Sequence, residues 1–325
     1  MRLALIGLGR NAQYQLTAIA RTHGVKVVDA YGLSPERGKN LGINVRFHPT
    51  LQSILKHSDA DIFVISTLAH LEITRALLEN GRAVLIDKPE CVDNQELDSL
   101  ATLANARNVF IYLAMHACFA PEVRWWLEQC CEAKYHLGEL IRFESGCYDP
   151  YVIHGKIRSQ AGDCRGSWFE GGSEALGVVG SFVDAESMEV SHSTLAKVPA
   201  PDNRDIRGKA SFSFTHRHGC GDGQIETNWT LGLERKITRL VYEGGDIILH
   251  HSKEAVFLCR NGRYTLLKDL RNRLHRQTNR YCGLLADVRN RLKSSHGNMD
   301  YARPLHRLLF EAAEKGHSDR YTTRS

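Results

Sequence analysis

The chain has 325 residues, which is more than one hydrophobic core usually supports, so we expect two domains. Hydrophobic residues make up 42% of the chain and charged residues 24%, as in folded globular proteins, which excludes a largely disordered chain. The formal net charge of +5 is spread along the chain, whereas a nucleic-acid-binding surface needs a concentrated basic stripe.

Short β-rich runs alternate with helical patterns in the first part of the chain. The predicted strands cover residues 3–6, 25–31, 61–66, 83–86 and 109–114, and the predicted helices cover 12–22, 51–56, 70–80 and 94–106. Gly81 follows the third of these helices, where a left-handed C-cap belongs. Strands and helices that alternate at this spacing form right-handed βαβ crossovers around a parallel sheet. The fold class predicted for this half is therefore α/β, with a doubly wound Rossmann sheet.

Consecutive strands dominate the second half. The predicted strands cover residues 140–145, 210–215, 224–231, 237–242, 246–250 and 255–259, with glycine-containing turns between several of them. This pattern indicates an open, mostly antiparallel sheet. Helices predicted over 174–187, within the basic stretch 268–293 and over 303–315 make this an α+β domain. We place the domain boundary between residues 119 and 120, and a terminal helix such as 303–315 often packs back on the first domain.

A glycine-rich turn follows the first predicted strand. The residues Gly7-Leu8-Gly9-Arg10-Asn11-Ala12 form the pattern G-x-G-x-x-A between a strand and a helix. Gly7 permits the tight turn, Gly9 lets the backbone approach a pyrophosphate, and the small Ala12 lets helix and strand pack closely. The helix N-terminus attracts the anion. Arg10 and Asn11 lie within the same turn, and the sequence therefore predicts a dinucleotide site here.

The residues after the second strand bear on the choice between NAD and NADP. An acidic residue about 20 positions after the glycine-rich turn normally binds the ribose 2′-hydroxyl. Gly32 stands there instead, and Ser34 and Arg37 follow it. Without the carboxylate a 2′-phosphate is not repelled, so NADP is modestly favoured. In the alternative interpretation, Arg37 is a solvated residue at the start of a helix.

Three further segments follow predicted strands in chain order. They are Ser66-Thr67-Leu68-Ala69-His70, Asp87-Lys88-Pro89 and the segment 115–123. They resemble, respectively, the T-P-x-x-H turn, the E-K-P motif and the N-x-R-F-x-P segment of the glucose-fructose oxidoreductase, inositol dehydrogenase and rhizopine catabolism (Gfo/Idh/MocA) family. Leu68 replaces a proline of the family pattern, and Asp87 replaces a glutamate. Together with the glycine-rich turn and the antiparallel second half, the resemblance covers most of the chain.

The resemblance implies a dinucleotide-binding domain over 1–119 and a domain for substrate binding and oligomerisation over 120–325, with a homodimer or homotetramer formed through the open sheet. It implies an NAD(P)-dependent oxidoreductase that transfers a hydride between nicotinamide and a sugar-like or polyol compound. Lys88 matches the family lysine that orients substrate and assists proton transfer, and Pro89 fixes the loop that presents it. The residues expected to border the nicotinamide are Ser66, Thr67 and His70.

His116 is a second candidate for proton transfer and substrate binding. It follows the fifth predicted strand, beside Lys88 at the edge where α/β sheets bind ligands. The stretch 116–123 is similar to the W-H-S-x-x-A-P-A-V segment of aldose 1-dehydrogenases of this family, which favours a sugar substrate. In the alternative interpretation, His116 is a strand-end histidine bonded to the backbone.

One family motif is incomplete in this chain. Many members carry G-G-G-x-x-x-D-x-G-x-H-x-x-D on a helix, and the matching segment here is 171–184. In the ungapped match Gly177 occupies the aspartate position, Ser181 the histidine position and Asp184 the last aspartate position. The usual acid and base of this helix are therefore absent.

Three explanations of this absence stay open. In the first, Lys88 and His116 suffice for proton transfer, and Ser181 or Glu174 only places the substrate. In the second, the substrate is unusual, such as an imine. In the third, the protein is a catalytically silent dinucleotide-binding sensor, as is a regulator of galactose genes built on this fold.

Aromatic and metal-binding residue types allow two weaker hypotheses. Trp168 and Trp229 could stack on a sugar, although a tryptophan of a β-rich domain is more often part of the core. The sequence 216–218, His-Arg-His, lacks further spaced ligands, so we expect an exposed turn and no metal. The nine cysteines show no regular spacing, and no apolar run reaches the roughly 18 residues of a membrane span. We therefore expect reduced thiols in a cytoplasmic, soluble protein without membrane or nucleic-acid partners.

Overall fold

The structure is a computed structural model. It describes residues 1–7, 12–32, 35–40, 42, 44–67, 70–88, 93–130, 132, 135–154, 156–161, 164–198, 202–294 and 297–320. The chain divides into two compact units. The first contains Met1–His116 and Gln277–Arg303, and the second contains Ala117–Arg276 and the residues from Pro304 on.

A parallel sheet forms the centre of the first unit. Its strands are β1 (Arg2–Ile6), β2 (Lys26–Tyr31), β3 (Arg46–His48), β4 (Ile62–Ile65), β5 (Val84–Ile86) and β6 (Ile111–Leu113), in the spatial order β3-β2-β1-β4-β5-β6. All five neighbouring pairs are parallel. Strands β4, β5 and β6 are wholly buried, as strands with helices on both faces must be. The Rossmann prediction is confirmed, and only β3 had no predicted counterpart.

Five helices connect these strands, and local signals fix their ends. They are α1 (Ala12–Arg21), α2 (Pro35–Asn40), α3 (Leu51–His57), α4 (His70–Glu79) and α5 (Asn94–Arg107). The side chain of Thr50 caps α3 and that of Asp93 caps α5, each accepting from a backbone N–H of the first turn. Gly81 ends the α4 segment with φ +67°, which confirms the left-handed position predicted there.

A helix from late in the chain completes the first unit. Helix α8 (Arg276–Ser294) buries Tyr281, Leu284 and Leu285 in one stripe. The Asn298 side chain bonds both the N–H and the C=O of Leu113, each at 2.8 Å, and so satisfies backbone groups of the edge strand β6. The basic stretch 268–293 was expected to be one helix, but its first residues belong to a strand. In the observed division, 277–303 joins the first unit and the residues from Pro304 on join the second.

The second unit contains a nine-stranded mixed sheet in the order β16-β15-β14-β13-β7-β12-β11-β10-β17. Only the pairs β12–β7 and β10–β17 are parallel, which confirms a mostly antiparallel sheet. The strands are β7 (Leu140–Tyr148), β10 (Met188–Lys197), β11 (Asp205–His216), β12 (Gly219–Asn228), β13 (Arg235–Tyr242), β14 (Gly245–His250), β15 (Ala255–Arg260), β16 (Arg263–Asp269) and β17 (His317–Arg320). A separate pair consists of β8 (Val152–Ile153) and β9 (Lys156–Ile157).

The helices of this unit are α6 (Pro121–Gln129), α7 (Ser173–Val179) and the part of α9 (Met299–Lys315) that follows Arg303. The prediction of one helix over 174–187 is wrong in length. Helix α7 ends at Val179 with Gly180 as its C-cap, a short 3-10 turn covers Ala185–Ser187, and β10 begins at Met188. The helix is shorter than predicted because Gly180, a residue of low helix propensity, stands at its C-cap, and the side chain of Asp184 caps the separate 3-10 turn.

The large sheet has two unlike faces. Its inner face buries Phe143, Phe212 and Leu240. Its outer face carries ion pairs such as Arg142–Asp222 at 2.8 Å, and the side chains of Tyr264 and Leu266 on β16 are 69% and 52% exposed. Within the described part of the chain, no helix has the length and apolar character that crossing a bilayer requires.

Candidate functional site

The carboxyl ends of the parallel strands lie at one edge of the first sheet. Gly7 follows β1, Ser66 follows β4, Asp87 follows β5 and Ala114 follows β6. Strand β1 pairs with β2 on one side and with β4 on the other, so the strand order reverses between β1 and β4. Ligands of open α/β sheets bind outside the carboxyl ends at such a point. The fold therefore brings the predicted segments at Gly7, Ser66 and Lys88 to the expected edge.

Gly7 occupies a position that only glycine fits. Its φ is +69°, and a Cβ placed there would lie 2.9 Å from the Ser66 carbonyl oxygen and 2.9 Å from Cβ of Thr67. The Gly7 N–H donates to the carbonyl of Tyr31 at 2.9 Å. Gly32 also has a positive φ, and a Cβ there would lie 3.5 Å from the Gly7 nitrogen. The loops after β1, β2 and β4 thus meet backbone to backbone, as the cradle of a dinucleotide requires.

Several predicted cofactor residues lie around this meeting point. Ala12 is the buried first residue of α1, His70 is the first residue of α4, and Ser66 and Thr67 follow β4. Other predictions fall outside the described residues, namely Gly9, Arg10, Asn11, Ser34 and Pro89, and the side chain of Arg37 lies outside them as well. For these positions the sequence expectation stays a prediction.

The turn after β5 presents Lys88. The Lys88 N–H donates to Oδ1 of Asp87 at 3.1 Å, and Oδ2 of the same carboxylate accepts from Nε2 of Gln15 at 3.0 Å. The hydroxyl of Tyr281 lies 3.5 Å from that second oxygen. Sequence reasoning did not identify Gln15 or Tyr281, because a polar residue on an amphipathic helix gives no sign of what it will contact.

His116 begins a short 3-10 turn, His116–Phe119, after β6. Strands β5 and β6 are neighbours, so Lys88 and His116 follow adjacent strand ends, as predicted from the sequence. The His116 side chain is 1% exposed, and its ring meets the ring of Tyr281 edge-on at 5.2 Å between centroids. Its backbone N–H donates to the carbonyl of Ala114 at 2.7 Å.

Helix α7 of the second unit carries a buried ion-pair cluster where the family pattern has its acid and base. Every residue of α7 is buried. Oε2 of Glu174 lies 3.1 Å from Nζ of Lys236, and Oδ2 of Asp149 lies 3.3 Å from the same nitrogen. All three side chains are at most 7% exposed. Glu174, predicted to bind substrate, is therefore engaged with a buried cation.

The other predicted residues of this unit have local structural roles. Ser181 donates to the carbonyl of Gly177 at 3.3 Å, and Asp184 accepts from the Glu186 N–H at 3.1 Å at the start of the 3-10 turn. Trp168 is fully buried and its indole N–H donates to the carbonyl of Leu309 at 2.9 Å. The expectation that Trp168 stacks on a sugar is wrong, because its ring has no exposed face. Trp229 is 1% exposed and belongs to the core as well.

A second buried polar chain crosses the inner face of the large sheet. Oε1 of Glu122 lies 2.6 Å from Nδ1 of His251, and Nε2 of that ring lies 2.9 Å from the Thr238 hydroxyl, which in turn lies 2.9 Å from the hydroxyl of Ser145. The only available signal in the sequence was that Ser145 and Thr238 occupy core positions in the strand alternation. Among the described residues no group of three or more His, Cys, Asp or Glu side chains could hold a metal ion.

Comparison with known proteins gives one family match, which covers the first part of the chain. Residues 1–115 match the model of the GFO_IDH_MocA family, described as an oxidoreductase family with an NAD-binding Rossmann fold. A myo-inositol dehydrogenase from Streptomyces leeuwenhoekii is 30% identical over 128 residues, which are 37% of this chain and 38% of that protein. The matched segment spans about two fifths of the length of the curated relatives.

Solved structures match over nearly the whole chain. A 3-ketoreductase from Actinomadura kijaniata, in complex with NADP and TDP-benzene, superimposes with a TM-score of 0.80 at 17% identity and covers 99% of both chains. A D-galactose-1-dehydrogenase from Rhizobium etli gives a TM-score of 0.76 at 18% identity and covers 98% of this chain and 96% of the other. At this identity the likeness shows a shared fold in both halves of the chain.

Proposed function

We propose that this chain, whose residues 1–115 match the model of the Gfo/Idh/MocA oxidoreductase family with its NAD-binding Rossmann fold, is an NAD(P)-dependent dehydrogenase or reductase. The observation that carries the proposal is the glycine-only contact of Gly7 with Ser66 and Thr67, at the same sheet edge as Lys88. The substrate class is a sugar-like or polyol hydroxyl compound, or the corresponding carbonyl. The names of the inositol and galactose dehydrogenases among the similar proteins support that class.

The residues at this edge fit a bound dinucleotide. The backbone of Gly7 and Gly9 and the start of α1 at Ala12 hold the pyrophosphate, because a helix N-terminus and exposed N–H groups favour an anion. Gly32 stands where NAD-specific sites place a carboxylate, so the adenosine end accepts NADP with a modest preference. Ser66, Thr67 and His70 border the nicotinamide, which supplies or accepts the hydride when bound.

Lys88 accepts the proton of the substrate hydroxyl in oxidation and returns it in reduction. Its ammonium group donates to the reacting oxygen, and loss or gain of its proton accompanies the change between alcohol and carbonyl. His116, at the neighbouring strand end, is the second proton-transfer group. The aspartate and histidine that the family carries on the α7 helix are absent, so the two groups of the first unit serve in their place.

A catalytically silent dinucleotide sensor is the second candidate function. It is favoured by the segment of α7 and the turn after it, where Gly177 and Ser181 replace the family acid and base and Glu174 is paired with Lys236. A reductase acting on an imine is a variant of the first candidate, since an imine does not need the missing pair.

Calorimetry and absorbance separate these functions. We expect NADPH or NADH to bind with measurable heat, and a panel of polyols and sugars to change the absorbance at 340 nm. Lys88→Ala abolishes turnover and leaves the Kd of the cofactor nearly unchanged, whereas Lys56→Ala, at an exposed position of α3, leaves both unchanged. Cofactor binding without turnover on sugars, polyols or imines would establish the sensor. Absence of heat with either cofactor would reject both functions.

A further inference from the structure

Two buried polar side chains, Gln15 and Tyr281, meet the half-buried carboxylate of Asp87 beneath the turn that carries Lys88. Nε2 of Gln15 lies 3.0 Å from Oδ2 of Asp87 and 3.3 Å from the hydroxyl of Tyr281. That hydroxyl lies 3.5 Å from the same carboxylate oxygen. Gln15 is 6% and Tyr281 is 3% exposed, so both partners of the Asp87 carboxylate are shielded from bulk water, and hydrogen bonds to a carboxylate are stronger than bonds between neutral groups.

The Asp87 carboxylate links this cluster to the backbone of Lys88. One of its oxygens accepts the Lys88 N–H at 3.1 Å while the other faces Gln15 and Tyr281. A carboxylate held at both oxygens cannot rotate freely, and the peptide that bonds to it is held too. Gln15 of α1 and Tyr281 of α8 thus fix, through Asp87, the backbone position from which the Lys88 side chain extends.

Tyr281 has a second contact, with the other candidate for proton transfer. Its ring meets the buried ring of His116 edge-on, with 5.2 Å between centroids and 81° between planes. Edge-to-face packing fixes the relative orientation of two rings. The hydroxyl of Tyr281 therefore contacts the Asp87 carboxylate that holds Lys88, and the ring of Tyr281 contacts His116.

We propose that Tyr281 is a positioning residue that orients Lys88, through Asp87, and His116 at the same time. The proposal rests on the proposed function for its consequence in catalysis, because it concerns the proton-transfer groups of that site. The orientation of Lys88 itself does not depend on any substrate. Misplacement of a reacting group by about 1 Å can cost about 100-fold in rate, so a weak contact of this kind has a measurable effect.

The first test observes Lys88 directly. The lysines of the full chain are converted to ¹³C-dimethyl-lysines, and the Lys88 signal is identified by its loss in Lys88→Arg. We expect Tyr281→Phe, which keeps the ring and removes the hydroxyl, to shift or split this signal. Gln15→Met removes a donor to the same carboxylate and should change the signal in the same way, which provides a second variant should one of the two fold poorly.

Tyr112→Phe is the matched control. The hydroxyl of Tyr112 donates to Oδ2 of Asp287 at 2.6 Å, so this variant removes a tyrosine–aspartate hydrogen bond between the same helix α8 and the neighbouring strand β6. We expect it to leave the Lys88 signal in place. An unchanged Lys88 signal in both Tyr281→Phe and Gln15→Met, or an equal change in Tyr112→Phe, would overturn the proposal.

Turnover provides the second readout. With a substrate found in the 340 nm panel, Tyr281→Phe should lower kcat by about 10-fold with the Kd of NADPH unchanged, while Tyr112→Phe keeps kcat within about two-fold. A shifted Lys88 signal in a chain that turns over no substrate would leave the positioning role intact and reject the enzymatic function. An unshifted Lys88 signal in an active enzyme would reject the positioning role and leave the enzymatic function intact.

Discussion

At the scale of single residues, Gly7 gives the sharpest expectation. Gly7→Ala forces a side chain into a left-handed backbone position, at a cost of about 1–2 kcal/mol, and places its Cβ against Ser66 and Thr67. The loops must separate, so we expect the Kd for NADPH to rise by at least about 10-fold, measured by calorimetry. Gly81→Ala is the control: its φ is also positive, at +67°, but its Cβ would meet no described atom within 4 Å. Gly81→Ala should lower the free energy of unfolding without weakening NADPH binding. Equal NADPH affinities in the two variants would contradict a dinucleotide site formed by the loops around Gly7.

The buried carboxylate of Asp29 makes the free energy of unfolding depend on pH in the acid range. Burial alone would raise its pKa, but the hydrogen bonds from Arg46, Ser58 and His48 outweigh burial and lower the pKa from 3.8 to about 2. Because the folded-state pKa lies below the unfolded one, the ionised group stabilises the fold above about pH 4, and this contribution is lost as the pH falls toward 2.

We expect this contribution to reach about 2 kcal/mol at neutral pH. Urea unfolding of the parent chain and of Asp29→Asn, followed between pH 6 and 2.5, measures it. The difference in the free energy of unfolding between the two proteins should shrink as the pH falls through this range. A difference that stays constant with pH would show that the carboxylate charge has no such role.

At the scale of elements, the cluster of Glu174, Lys236 and Asp149 holds α7 on the large sheet. Lys236→Met leaves two buried carboxylates without their cation, and breaking a buried ion pair in this way costs about 3–5 kcal/mol. We expect a loss of this size in the free energy of unfolding, measured with urea. Arg142→Met removes the exposed partner of Asp222 and should cost less than about 1 kcal/mol. Similar losses in the two variants would contradict a supporting role for Lys236.

The elements also show how far the sequence could be interpreted in advance. The alternation of strands and helices in the first half predicts each of β1, β2, β4, β5 and β6, because a buried parallel strand is a short apolar run between amphipathic helices. Strand β10 was missed because the helix predicted before it was extended to residue 187, directly in front of the strand. The need for glycine at position 7 and the position of Lys88 after a strand were predictable from local spacing, whereas their roles in a site stay a prediction.

The supports of the site were not predictable in the same way. Tyr281 reaches Asp87 and His116 from a helix that is separated from both in the sequence by eight of the nine strands of the large sheet. Glu174 was expected to face substrate, yet it meets Lys236, which lies on a strand 62 positions later. Contacts of this kind depend on tertiary packing, and neither composition nor periodicity carries information about them.

At the scale of the whole molecule, we propose that copies of the chain associate through the outer face of the large sheet. A groove there is lined by apolar residues such as Ile248, Phe257 and Tyr264 and by residues of both charges, including Arg239 and Glu144. Arg239 pairs with Glu144 at 3.3 Å within the chain, so this face carries compensated charges and an apolar lining that a second copy of the same face can cover across a two-fold axis. Exposed large apolar side chains beside them provide area to bury.

Leu266→Asp tests this association. The side chain of Leu266 is 52% exposed on β16, and a carboxylate there would have to be buried between two copies. We expect sedimentation velocity to show a shift from dimer or tetramer toward monomer. Leu231→Asp, at a position that is 48% exposed in the turn after β12, is the control and should keep the parent's size. A parent chain that sediments as a monomer would reject the proposal.

The return of α8 to the first unit has a consequence for the order in which the protein matures on the ribosome. Synthesis of Met1–His116 yields every strand of the parallel sheet, yet β6 then lacks the Asn298 amide that bonds Leu113, and Tyr112 lacks its partner Asp287. The entire nine-stranded layer except β17 is translated before these partners emerge. The nascent parallel sheet therefore keeps one edge unsatisfied until Asp287 and Asn298 have been translated.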